Sequence, residues 1–123
     1  MSSAQNDRRI DYIEFSVTSV AEAKRFYGQA FGWSFEDYGP DYASFADGRL
    51  SGGFQAAQVG AGGPLVVIYA ADLESQERRV KQAGGSIVRP IFSFPGGRRF
   101  HFTDPSGNEL AVWSDNEKVN GEG

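Results

Sequence analysis

The chain has no cysteine, one histidine and one methionine in 123 residues. Disulfides, thiolate nucleophiles and thiolate-bound metals are therefore excluded. A multi-histidine metal site within one chain is excluded as well, so any metal would lean on carboxylates, which suit hard ions better than zinc. Long apolar runs are also missing. No stretch approaches the ~20 residues of a membrane-spanning helix. The opening residues lack the charged-then-apolar order of a signal peptide, so a soluble, cytoplasmic protein without a membrane partner is expected. Basic charge is scarce, with 12 Lys and Arg against 16 Asp and Glu and a net charge of -4. Arg8-Arg9, Arg78-Arg79 and Arg98-Arg99 are isolated pairs rather than a basic face, which argues against a nucleic-acid partner.

What the chain does have is a strand–helix–strand pattern that occurs twice. At this length it reads as a single domain, residues 1–123, large enough to bury a core unaided. Residues 10–17 alternate, with Ile13, Phe15 and Val17 on one side, which predicts a strand. Thr18-Ser19 supplies a helix cap. Val20, Ala23, Phe26, Tyr27, Ala30 and Phe31 recur at helical spacing until Gly32 stops the run. Strands follow over 33–38, 42–46 and a glycine-weakened 50–57, completing a first βαβββ module over residues 10–57. Residues 58–63 form a linker. The second module, 64–113, repeats the order: a strand over 65–70, an Asp72-capped helix over 73–83, a short strand over 86–90, a loop at 92–97, and strands over 99–103 and 109–113. Residues 1–7 and 116–123 are polar, and loose ends are expected there. The fold class is α+β: two modules forming a curved mixed sheet with an open cup and the helices outside.

Local signatures carry a resemblance. They are Ala23-Lys24-Arg25-Phe26-Tyr27 leading to Phe31-Gly32-Trp33, Asp72-Leu73 before the second helix, Ala83-Gly84-Gly85 after it, and Phe102-Thr103-Asp104-Pro105-Ser106-Gly107-Asn108. Together they resemble the glyoxalase/bleomycin resistance protein/dioxygenase family, the vicinal oxygen chelate superfamily, over residues 10–113. The resemblance implies a fold shared by metal-dependent lyases, isomerases and dioxygenases. Their four metal ligands fall at positions similar to Tyr12, Leu65, Ala111 and the region of Ser51 here. None of these is the histidine or glutamate that the family uses, so no metal and no other cofactor is expected.

Strand alternation assigns the cup-facing residues. Tyr12 and Glu14 come from the first strand, Leu65, Val67 and Tyr69 from the fifth, Arg99 and His101 from the seventh, and Glu109 and Trp113 from the last. This apolar, aromatic lining with a few polar groups is the make-up of a small-molecule site. The bland alternative is that the aromatics only pack the modules or a dimer together. His101 reads either as a base or ligand-binding donor, or as a strand histidine satisfied by a neighbouring carboxylate. Glu14 and Glu109 read as ligand anchors, as acid and base with His101, or as partly solvated carboxylates, with Glu109 placed to pair with Arg99 across strands. Asp104-Pro105-Ser106-Gly107-Asn108 reads as a structural turn.

Three functions remain open. The first is a metal-independent small-molecule (drug or metabolite) binding protein, whose net negative charge suits a neutral or cationic guest. The second is an enzyme of lyase, isomerase or dioxygenase type, with His101, Glu109 and Glu14 as catalytic candidates in a noncanonical acid–base or metal site. The third is an accessory homodimeric domain without a ligand. A homodimer is expected in each case.

Overall fold

The computed structural model describes residues 4–58 and 63–116. In the first half of the chain, β1 (Arg9–Val17) leads into α1 (Val20–Phe31), followed by β2 (Ser34–Asp37), β3 (Tyr42–Ala46) and β4 (Ser51–Ala56). Ser19 caps α1, its hydroxyl accepting from the Glu22 N–H at 3.1 Å. Gly32 ends the helix in the left-handed region at φ 75°, a conformation that costs glycine nothing. The strand order is β2-β3-β4-β1, with β1 and β4 parallel and the other neighbours antiparallel.

The second half repeats the plan. β5 (Leu65–Tyr69) leads to α2 (Leu73–Gln82), then β6 (Ser86–Phe94), β7 (Gly97–Thr103) and β8 (Glu109–Ser114). Asp72 caps α2 by accepting from the Ser75 N–H. The order is β5-β8-β7-β6, with β5 and β8 parallel. The chain thus has an α+β fold of two βαβββ repeats with mixed strand pairing.

Each helix covers one face of its strands. Beneath α1 the core is mostly aromatic: Phe45 and Phe54 are buried, with Phe15, Tyr27, Trp33 and Phe35 packed against them. Tyr27 and Trp33 stack at 4.7 Å between ring centroids, as do Trp33 and Phe45. Gly52 makes room for this packing, because a Cβ there would overlap the Ile13 carbonyl and the Phe45 ring. Beneath α2 the core is Ala70, Leu73, Phe100 and Val112, ringed by Ile68, Val80, Ile87, Ile91 and Phe102.

Two expectations need correction. The stretch 92–97 is not a loop: β6 runs on to Phe94, and only Pro95-Gly96 turns the hairpin. Pro90 is accommodated because β6 is the last strand in its order and carries register shifts on both sides of Arg89. Nor is the N-terminal stretch loose as far as Asp7. The Asp7 carboxylate accepts from the Ala71 N–H at 2.8 Å, and the Arg8 N–H donates to the Tyr69 carbonyl at 2.7 Å. The segment to Asp11 accordingly belongs to one compact unit with Val66 onward, and Tyr12–Leu65 forms the other. Residues 1–3, 59–62 and 117–123, which hold the expected loose ends and linker, lie outside the described residues.

Candidate functional site

Opposite α2, the strands β6, β7 and β8 carry a cluster of charged, imidazole and aromatic side chains. Alternation puts Phe100 and Phe102 into the core, so Arg99 and His101 emerge on the other face of β7. Register places Arg89 across from His101, Phe92 across from Arg99, and Trp113 across from Arg99 on the other side. The Glu109 Oε2 lies 3.0 Å from the His101 Nδ1. A carboxylate only accepts, so Nδ1 carries the proton and Nε2 presents its lone pair. Nε2 is buried and has no hydrogen-bond partner among the described residues. Burial is the main force holding the His101 pKa below that of a free histidine. The charges of Arg99 and Arg89 act in the same sense, and Glu109 opposes them.

Aromatic groups frame this cluster. The Phe92 ring stacks near His101 with centroids 5.9 Å apart and carries the Arg89 guanidinium 3.7 Å from its centre. The Arg99 guanidinium lies 5.5 Å from both the Phe92 and Phe94 rings. Trp113 meets Phe94 at 6.3 Å and Tyr69 edge-on at 5.4 Å, and its Nε1 donates to Asp11 at 2.9 Å.

Of the residues expected to line a site, Arg99, His101, Glu109 and Trp113 come together here. Tyr69 and Val67 share this compact unit but are 1% and 2% exposed, so both are packing residues in this state. The Tyr69 hydroxyl donates to Asp115 at 2.6 Å. Glu109 takes His101 as a partner and satisfies one of its two ring nitrogens. Tyr12, Glu14 and Leu65 belong to the other compact unit. There the Tyr42 hydroxyl lies 2.6 Å from that of Tyr12 and donates to Glu14 at 3.0 Å. Burial, followed by the hydrogen bond to Tyr12 and the Glu14 charge, pushes the Tyr42 phenol far above its usual range and keeps it protonated. Gly53 makes this phenol pair possible, since a Cβ there would overlap the Tyr42 hydroxyl and sit 2.7 Å from that of Tyr12.

Sequence reasoning missed Tyr42, Arg89 and Phe92. Alternation along β3, with Ala43 and Phe45 in the core, was a sufficient signal for Tyr42. For Phe92 the signal was obscured by Pro90 and Pro95, which argue against a strand unless it lies at an edge.

A profile of the Glyoxalase/Bleomycin resistance protein/Dioxygenase superfamily matches residues 9–112. The chain belongs to this superfamily. It is 26% identical over 121 residues to "Putative glyoxylase CFP32" of Mycobacterium bovis, a match covering 89% of this chain and 46% of that protein. The chain thus spans about half the length of the curated relatives that it matches. Among solved structures, a superfamily member from Vibrio splendidus 12B01 is similar, with a TM-score of 0.69, 16% identity, and coverage of 86% of this chain and 97% of that one. The Mn(II)-bound glyoxalase from Novosphingobium aromaticivorans has a TM-score of 0.66 and 20% identity, covering 95% of this chain and 44% of that one. At these identities the likeness is one of fold.

The superfamily's metal enzymes invite a test of the donor set. Leu65 and Ala111 have no donor atom in their side chains, and Ala111 is 0% exposed. The Tyr12 phenol is engaged with Tyr42. Among the described residues, no three His, Cys, Asp or Glu side chains converge in a way that could hold an ion. These residues do not fit the superfamily's metal. Among the described residues, no helix is long and apolar enough to cross a membrane.

Proposed function

We propose that this protein is a metal-independent small-molecule binding protein of the glyoxalase/bleomycin-resistance type, cytoplasmic and homodimeric. The observation that carries this reading is the make-up of the face around His101. Aromatic rings there (Phe92, Phe94, Trp113) adjoin two guanidinium groups and a buried imidazole nitrogen that lacks a partner among the described residues. Aromatic walls with few convergent polar groups suit a small organic ligand. The local charge modifies the expectation drawn from the net charge. Arg89 and Arg99 lie beside the rings, so this face favours a neutral or anionic guest over a cationic one.

A second reading, an acid–base enzyme, rests on the Glu109–His101 pair. A carboxylate that fixes one imidazole nitrogen orients the other as a base. The third, a ligand-free accessory domain, predicts that nothing small stabilises the fold. A thermal-shift screen of metal-stripped protein against small aromatic compounds and divalent cations separates the readings, because a native-state binder raises the midpoint with concentration. Stabilisation by organic compounds alone supports the binding module. Stabilisation by none overturns it.

A further inference from the structure

The compact unit Tyr12–Leu65 holds a pair of phenols that the binding reading does not use. Tyr12 on β1 and Tyr42 on β3 come from strands that are not neighbours, because β4 lies between them. On β4, Gly53 is in register with Glu14 on one side and with Ser44 on the other. With no side chain at Gly53, the two phenols meet over β4 with their oxygens 2.6 Å apart. A carboxylate only accepts, so the Tyr42 hydroxyl gives its single proton to Glu14 at 3.0 Å. Tyr12 is then the donor within the phenol pair. The donors run from Tyr12 to Tyr42 and end on a base within the range for proton transfer. A phenol that loses an electron becomes a strong acid. Where a base already holds its proton, electron and proton leave together and no charged radical has to form.

We propose that Tyr12 and Tyr42 are an oxidative cross-linking site, joined through their ortho carbons by one-electron oxidants, with Glu14 receiving the Tyr42 proton. One electron leaves Tyr42 for the oxidant, and its proton passes to Glu14 and on to solvent. A second electron and proton leave Tyr12. The two radicals pair in one carbon–carbon bond between ortho positions. The hydrogens displaced there are lost as protons while both oxygens regain theirs. In sum two electrons go to the oxidant, two protons go to solvent, and both phenols are restored. Each ortho carbon is two bonds from its oxygen, so oxygens in contact hold the coupling carbons within a small ring pivot of each other. The product is a covalent staple from β1 to β3 in a chain whose lack of cysteine allows no disulfide.

The test is photo-oxidation of the dilute whole protein with tris(bipyridine)ruthenium(II) and persulfate, followed by tryptic digestion and mass spectrometry. The peptides 10–24 and 26–49, which carry Tyr12 and Tyr42, are expected to be joined within one chain and lighter by two hydrogens. Fragment ions are expected to place the link at Tyr42 rather than at Tyr27 or Tyr38. Tyr38 is 59% exposed and supplies the internal control, since a link through it joins separate molecules. Tyr38→Phe is expected to leave the yield of the joined peptides unchanged, and Tyr42→Phe to abolish it. Glu14→Gln keeps the shape but removes the base, and is expected to lower the yield several-fold with the circular dichroism of the parent. No joined peptides at a dose that oxidises Tyr38, a link that persists in Tyr42→Phe, or a parental yield in Glu14→Gln overturns the inference.

Discussion

Glu109 holds His101 by one ring nitrogen, with its Oε2 3.0 Å from Nδ1, and the opposite nitrogen is buried without a protein partner among the described residues. This relationship fixes the tautomer, and most of what the site can do follows from it.

The first consequence concerns titration. Burial lowers the His101 pKa, and Glu109 is the group that raises it. Glu109→Gln removes the raising influence and keeps a hydrogen-bonding side chain. The His101 pKa, read by NMR from the only histidine in the chain, is expected to lie below about 6.5 in the parent and to fall further in the variant. A rise in the variant contradicts the assignment.

Stability follows with a definite sign. A histidine whose folded pKa is depressed binds a proton more readily when unfolded, so its contribution is present above the unfolded value and is lost as pH falls below it. The urea midpoint is expected to drop as pH falls from about 7 towards the folded pKa, and to drop less in His101→Asn. Identical profiles for parent and variant would show that other groups dominate that window.

Gly53 is predicted to be intolerant of any side chain. Gly53→Ala forces a methyl into the Tyr42 hydroxyl and is expected to cost about 1–3 kcal/mol by chemical denaturation. Adding Tyr42→Phe removes the overlapping oxygen and is expected to restore part of the loss. A double variant no better than the single one points to strain elsewhere in the strand.

Trp113 ties the N-terminal segment to β8 through its bond to Asp11. Trp113→Phe keeps an aromatic ring but loses this bond and is expected to destabilise the protein by about 1 kcal/mol. Because the Asp7 and Arg8 contacts remain, unfolding is expected to stay cooperative. An unchanged denaturation midpoint contradicts the role given to the bond.

Much of the architecture was legible in the chain because local signals agreed with one another. α1 runs over Val20–Phe31, between the Ser19 cap and Gly32, where the apolar spacing placed it. The core faces of β7 and β8 followed from alternation alone, with Phe100 and Val112 inward. What failed was non-local. Whether Pro90 breaks a strand depends on whether the strand has a neighbour on both sides, and a sequence does not state this. Likewise, the burial of Tyr69 and the pairing of Trp113 with Asp11, 102 residues away in sequence, depend on tertiary contacts that composition cannot reveal. The proposed preference for a neutral or anionic guest departs from the expectation drawn from net charge, since net charge averages over the surface and a ligand meets only the few groups around it.

Metal-independent binding is checked first by calorimetric titration of chelator-treated protein with Mn(II) and Zn(II), alongside the organic ligand that gives the largest thermal shift. No stoichiometric metal binding is expected, and excess chelator is expected to leave the affinity for the organic ligand unchanged. Stoichiometric, tight uptake of either ion, or loss of ligand binding on chelation, would contradict it.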